Sequence, residues 1–158
     1  FETPLFLFSS RTAVLNPVLA GFGLTAISDP NPKTQNIVYT KTSRAGTIED
    51  LHLLDLKSGK DTSWPLKTLA AKCAFSRDSK LLFCAVPKNP PARDLPEAWL
   101  QGRVSFADAI YKIEIATGKA EEIFHEGGDV TSLIVSDDAK KLFFIDKKTG
   151  FLYGLSLE

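Results

Sequence analysis

One phrase occurs twice in this chain, and it constrains the fold more than any other feature. CAFSRDSKLLFCAVPK (residues 73–88) aligns with LIVSDDAKKLFFIDKK (residues 133–148). Each reads as an apolar run, a serine, two or three polar residues, a lysine and a second apolar run. A looser third copy is TAISDPNPKTQNIVYTK (residues 25–41), so the aligned serines are Ser28, Ser76 and Ser136. Two apolar runs flanking a short polar turn predict an antiparallel hairpin.

A second phrase follows each copy: LHLLDLKSGK (51–60), IYKIEIATGK (110–119) and FLYGLSLE (151–158). Its aligned triplets are Leu54-Asp55-Leu56, Ile113-Glu114-Ile115 and Leu155-Ser156-Leu157. Period-2 alternation with aromatic and β-branched residues predicts strands. KSGK and ATGK read as turns in which Gly59 and Gly118 can take positive φ. Fourth strands are expected at DTSWPL (61–66) and AEEIFH (120–125). No segment carries helical periodicity, although DLPEAWLQG (94–102) can make one short helical turn. Four antiparallel strands recurring at about 40–60 residues match the spacing of β-propeller blades. A lone four-stranded sheet cannot bury both faces, and stacking such sheets around an axis does. The fold class expected is all-β, a β-propeller of four-stranded antiparallel blades.

At these residues the chain resembles a known family. FSRDSKLLF and VSDDAKKLFF are similar to the strand–turn–strand phrase of TolB-type, WD-repeat-like propellers, and LDLKSGK and IEIATGK to the strand that follows it. The turns depart from the Pro-Asp-Gly of the consensus, having Arg77-Asp78-Ser79 and Asp137-Asp138-Ala139, and the Trp-Asp dipeptide is missing. LKTLAAKCAFS, AVPKNPP and AWLQGRVSFADAIYKIEIATGK further resemble uncharacterised envelope-associated propeller proteins of bacterial candidate phyla. That likeness implies an envelope location, with a membrane anchor outside this chain, and no activity.

The organisation expected is the end of a preceding blade or a strand segment over 1–24, and a blade over 25–69. A second blade over 70–126 carries an insertion at 87–106, and a partial blade covers 127–158. About two and a half to three blades do not close a ring, since closed propellers have typically 4–8. The chain begins at Phe1 and has no methionine. The expectation is a C-terminal piece of a longer propeller, with further blades, copies or partners completing the ring.

Cys73 and Cys84, the only cysteines, bracket the second hairpin. If Phe75 pairs with Leu82, a constant index sum makes Cys73 face Cys84, with Cβ atoms about 4.5–5.5 Å apart, close to disulfide reach. They form either a disulfide, which implies an oxidising compartment, or a buried reduced pair. A one-residue slip would point them to opposite faces.

Little else carries chemistry. Lysine plus arginine balance aspartate plus glutamate at 19 each, which argues against a nucleic-acid partner. The longest nearly uncharged apolar run, 17–27, is too short for a membrane helix, which needs about 18 residues. His52 and His125 lack metal-ligand companions, and AGFGL (20–24) lacks the third glycine and the setting of a nucleotide loop. Asp137-Asp138 reads as a hairpin turn, Glu121-Glu122 as a solvated strand edge and Trp64 as outer-strand packing. No catalytic residue, metal or cofactor is expected.

The second blade's insertion, PKNPPARDLPEAWLQGRVSF, holds four of the nine prolines and one of the two tryptophans. A stiff loop carrying Arg93, Trp99, Leu100 and Arg103 has the composition of a protein-contact patch. Alternatively, Trp99 turns inward and caps the blades. The function expected is a non-catalytic, extracytoplasmic scaffold or protein- or peptide-binding propeller of the envelope. The alternatives are an accessory propeller of a larger hydrolase, or a subunit of an extracellular assembly.

Overall fold

The computed structural model describes residues 2–91 and 93–157. Its strands are β1 (Thr3–Ser9), β2 (Val14–Ser28), β3 (Asn36–Thr42), β4 (Ile48–Asp55), β5 (Asp61–Trp64), β6 (Cys73–Phe75), β7 (Leu81–Pro87), β8 (Asp108–Glu114), β9 (Ala120–Gly128), β10 (Val130–Val135), β11 (Lys141–Asp146) and β12 (Leu152–Ser156). A 3-10 turn, Ala70–Lys72, precedes β6, and one helical turn, α1 (Glu97–Leu100), lies in the insertion. All pairings are antiparallel, within three sheets ordered β1-β2-β3-β4-β5, β6-β7-β8-β9 and β10-β11-β12.

The register reproduces the aligned triplets: Ile37 pairs with Leu54, Leu82 with Ile113 and Leu142 with Leu155. One alignment shifts. Ser28 pairs with Ile37 as Phe75 does with Leu82 and Val135 with Leu142. The anchoring position in the first unit is therefore Asp29, whose amide bonds Asn36 O as those of Ser76 and Ser136 bond Leu81 O and Lys141 O. The first turn is two residues longer, and its prolines at 30 and 32 hide the offset in sequence.

A second turn recurs more often than its sequence suggests. Gly59 N bonds Asp55 O, Gly118 N bonds Glu114 O and Gly150 N bonds Asp146 O. Each glycine has φ between +72° and +75°. Ala13 N bonds Ser9 O in the same way, with φ +53°. The hairpin of β1 and the first half of β2 therefore has the form of a third and fourth strand, like β4–β5 and β8–β9. β2 then bends at Gly23, φ +51°, and its second half becomes the first strand of the next unit.

Alternating side chains glue the sheets head to tail. Val38 and Leu51 of the first sheet, with Trp64, pack on Cys73, Phe75, Leu82, Cys84 and Ile113. The opposite face of the second sheet, Phe83, Ala85 and Ile110, packs on Val130, Leu133, Leu142 and Phe144 of the third. Cys73 and Cys84 pair directly and are joined by a disulfide. The fold is a set of β-propeller blades that do not close into a ring. Among the described residues no helix is long and apolar enough to cross a membrane.

Candidate functional site

The insertion departs from the end of β7 and returns to β8, its base closed by Lys88 N bonding Ala107 O. It leans on the first sheet, where Asp94 N and Leu95 N bond Ala45 O and Gly46 O. Only glycine fits at 46: a Cβ there would lie 2.3 Å from Asp94 N. Beneath it Leu95, Ala98, Trp99 and Phe106 form a small core with Ile48 and Leu69.

Under that core lies a buried charge cluster. Lys72 is fully buried, its Nζ 2.8 Å from Asp108 Oδ2 and 3.1 Å from Asp129 Oδ1. The rings of Trp99 and Phe106 lie over the ammonium at 4.5 and 4.7 Å. Trp99 Nε1 donates to Asp129 Oδ1 at 2.7 Å, and Val130 N to Asp108 Oδ2 at 2.7 Å. Lys147 Nζ donates to the carbonyl of Trp99 and stands 4.3 Å from the centre of its ring. Asp146 Oδ1 accepts from Asp129 N at 3.1 Å.

Two carboxylates face one lysine here, and Asp108 Oδ1 and Asp129 Oδ2 have no hydrogen-bond partner among the described residues. Desolvation pushes the Asp108 carboxyl above the usual range, against the pull of Lys72 and the Val130 amide. Partial burial also works to raise Asp146, but bonds from Thr149 and from the amides of Lys148 and Asp129 outweigh it and hold that carboxyl low. This network locks the insertion to the junction of the second and third sheets. Sequence reasoning singled out none of Lys72, Asp108, Asp129 or Asp146. The one signal was the lysine inside TLAAKCAF, a run otherwise destined for the interior.

The residues proposed for a contact patch separate. Trp99 is 3% exposed and belongs to the lock, so it presents no surface to a partner. Its ring is the largest apolar body in the loop, and its N–H finds a buried acceptor. Leu100 is 60% exposed, and Arg93 and Arg103 are exposed, with Arg103 Nε donating to Gln101 Oε1 at 2.9 Å. The two histidines lie apart from this loop. His52 stacks on Tyr39 and shares Asp61 with it, and His125 pairs with Glu122 at 2.8 Å. Burial, reinforced by Asp61, raises the Tyr39 phenol above its ordinary range. Glu122 is more than a solvated edge, since Tyr111 also donates to it at 3.0 Å. Trp64 is 4% exposed between the first two sheets.

No family profile and no curated protein matches the chain, so the narrower likeness to proteins of candidate phyla gains no support from sequence. Solved structures do match. Hydrazine synthase of Kuenenia stuttgartiensis aligns over 98% of this chain and 46% of its own, with TM-score 0.62 and 14% identity. TolB from Acinetobacter baumannii aligns over 96% and 37%, with TM-score 0.58 and 14% identity. The tricorn protease aligns over 95% and 14%, with TM-score 0.58 and 13% identity. The chain thus spans less than half the length of each. At such identities the likeness is one of fold: this chain folds as part of a β-propeller, like stretches of TolB and the tricorn protease.

Proposed function

We propose that this chain is a non-catalytic propeller segment that binds a protein or peptide in an extracytoplasmic compartment of the cell envelope. One observation carries the binding reading: the insertion is fixed rather than loose. Trp99, Asp129, Lys72 and Lys147 tie its helical turn down from within, while Leu100 stays 60% exposed beside Arg103. An apolar knob with a cationic neighbour on a pre-ordered loop loses little entropy on docking, and arginine is enriched at such contacts. The Cys73–Cys84 disulfide supports an oxidising location.

The test compares capture of partners from an envelope fraction by the wild-type chain, Leu100→Asp and Arg103→Glu. The reading expects a captured species that both substitutions weaken at least tenfold. Equal capture by all three chains would sink it. Alkylation of the native protein should modify no cysteine until reductant is added, and free thiols before reduction would remove the compartment argument.

A further inference from the structure

The cluster under the insertion sets an amine against a carboxyl. Lys72, Asp108 and Asp129 are each no more than 2% exposed, and the rings of Trp99 and Phe106 close over the lysine nitrogen at 4.5 and 4.7 Å. A water-poor pocket disfavours ions. Burial raises the Asp108 carboxyl above its usual range, and a protonated carboxyl, unlike a carboxylate, can give up an oxygen to an amine. The two oxygens of Asp108 are unlike. Oδ2 accepts from Val130 N at 2.7 Å and lies 2.8 Å from Lys72 Nζ, the surroundings of a carbonyl oxygen. Oδ1 is buried with no hydrogen-bond partner among the described residues, the place for a hydroxyl that can leave. Asp129 Oδ1 stands 3.1 Å from the same nitrogen, within reach of its proton.

We propose that Lys72 and Asp108 condense into a side-chain amide, an isopeptide cross-link joining the residue before β6 to the strand on which the insertion ends. Asp129 takes one proton from the lysine ammonium, and the freed electron pair on Nζ bonds to Cγ of the Asp108 carboxyl. A second proton passes from the nitrogen through Asp129 to Oδ1, the Cγ–Oδ1 bond breaks and one water leaves. An ammonium, a carboxyl and a carboxylate become an amide, a water and a neutral acid, so no oxidant or further reactant enters. Fixed contact replaces a chance encounter of the two groups. The step also removes two buried charges, whose desolvation opposes the ion pair, and the aromatic cover keeps water from reversing it. It is slow compared with folding, so the ion pair described above is its reactant and the form that newly folded chain contains. The cross-link needs no partner and stands apart from the binding reading.

The test is the intact mass of the folded wild-type chain over weeks of storage, read after the disulfide is reduced. The chain is expected to become lighter by the mass of one water. Tryptic digestion of that species should give residues 68–77 uncut after Lys72 and joined to residues 104–112, the fragment that holds Asp108. Lys72→Arg keeps the charge but not the amine and should keep its full mass. Asp129→Asn removes the proton acceptor and should slow the loss at least tenfold. Mapping of the wild-type chain decides the matter even if both variants misfold. Full mass throughout, with normal cleavage after Lys72, would overturn the proposal. Loss of water with Lys72 unmodified would overturn it too, as would a join from Lys72 to the Asp129 fragment, residues 120–140.

Discussion

The two junctions between sheets share one register and differ in what fills them. The first is apolar and covalently stiffened: Val38, Leu51 and Trp64 meet Phe75, Leu82, Ile113 and the Cys73–Cys84 bridge. The second has an apolar middle of the same kind, but one end holds Lys72 between Asp108 and Asp129 under Trp99. Equivalent strands therefore need not carry equivalent chemistry. The first junction's polar links are neutral hydroxyls, Thr40 and Thr68 at its buried side and Ser79 on Asp29, with no buried lysine among them. The second pays for desolvating three ions, and what it gains is a fixed position for the insertion.

The sharpest way to break this comparison is to remove the lysine. Lys72→Met leaves two buried carboxylates without their cation, and loss of one partner of a buried ion pair costs about 3–5 kcal/mol. Urea unfolding of the variant should show that loss. A change under about 1 kcal/mol would mean the cluster is better hydrated than its burial implies. The matching probe of the first junction is Cys73→Ala with Cys84→Ala, expected to cost about 2–4 kcal/mol through the freer unfolded chain. Loss of both cysteines at no measurable cost in the same assay would mean that the bridge does not stiffen the first junction.

The first junction was legible in the sequence and the second was not, for a physical reason. Strand alternation and a constant index sum are local rules, and they placed Phe75 opposite Leu82 and Cys73 opposite Cys84 without any knowledge of the rest. The cluster joins Lys72, Asp108 and Asp129 across 57 residues of chain, and no local rule brings them together. Trp99 shows the same limit. Its composition alone fitted either a contact residue or an inward cap, and only the acceptor at Asp129 separates the two. Asp29 was missed because the turn register was assumed constant, and two extra residues moved the anchor from Ser28.

Asp108 and the hydrogen-bonded carboxylates should respond to pH in opposite directions. The Asp108 carboxyl is raised above its ordinary value by desolvation, so the folded chain holds that proton more tightly than the unfolded one. Its contribution is most favourable below the ordinary aspartate pKa, about 4, and is lost as pH rises through the raised folded value. Asp78, Asp138 and Asp146 are lowered, the first two chiefly by the hydroxyls of Ser76 and Ser136 and the third by bonds that outweigh its desolvation. Their contribution is present above the ordinary value and lost as pH falls. Asp108→Asn removes only the first of these trends. Its unfolding free energy should fall less than that of the wild type between about pH 4 and 7, with acid destabilisation unchanged. Parallel curves for the two chains would show that Asp108 is ionised throughout this range.

The smallest expected effect separates the junctions at their turns. Ser79 and Ala139 hold equivalent places with φ +60° and +56°, a left-handed conformation that costs a non-glycine residue about 1 kcal/mol. Ser79 recovers part of that cost, because its Oγ donates to Asp29 Oδ1 at 2.8 Å across the first junction. Ala139 has no hydroxyl with which to do so. Ala139→Gly relieves the strain and loses only some unfolded-state restriction, so it should stabilise by about 0.5 kcal/mol. Ser79→Gly relieves the same strain but cuts the bond to Asp29, worth about 1 kcal/mol, and should be neutral or destabilising. Denaturation midpoints of the two variants measured side by side decide the matter. If both substitutions stabilise equally, the hydroxyl bridge adds nothing to the first junction, and the two turns differ in sequence but not in energy.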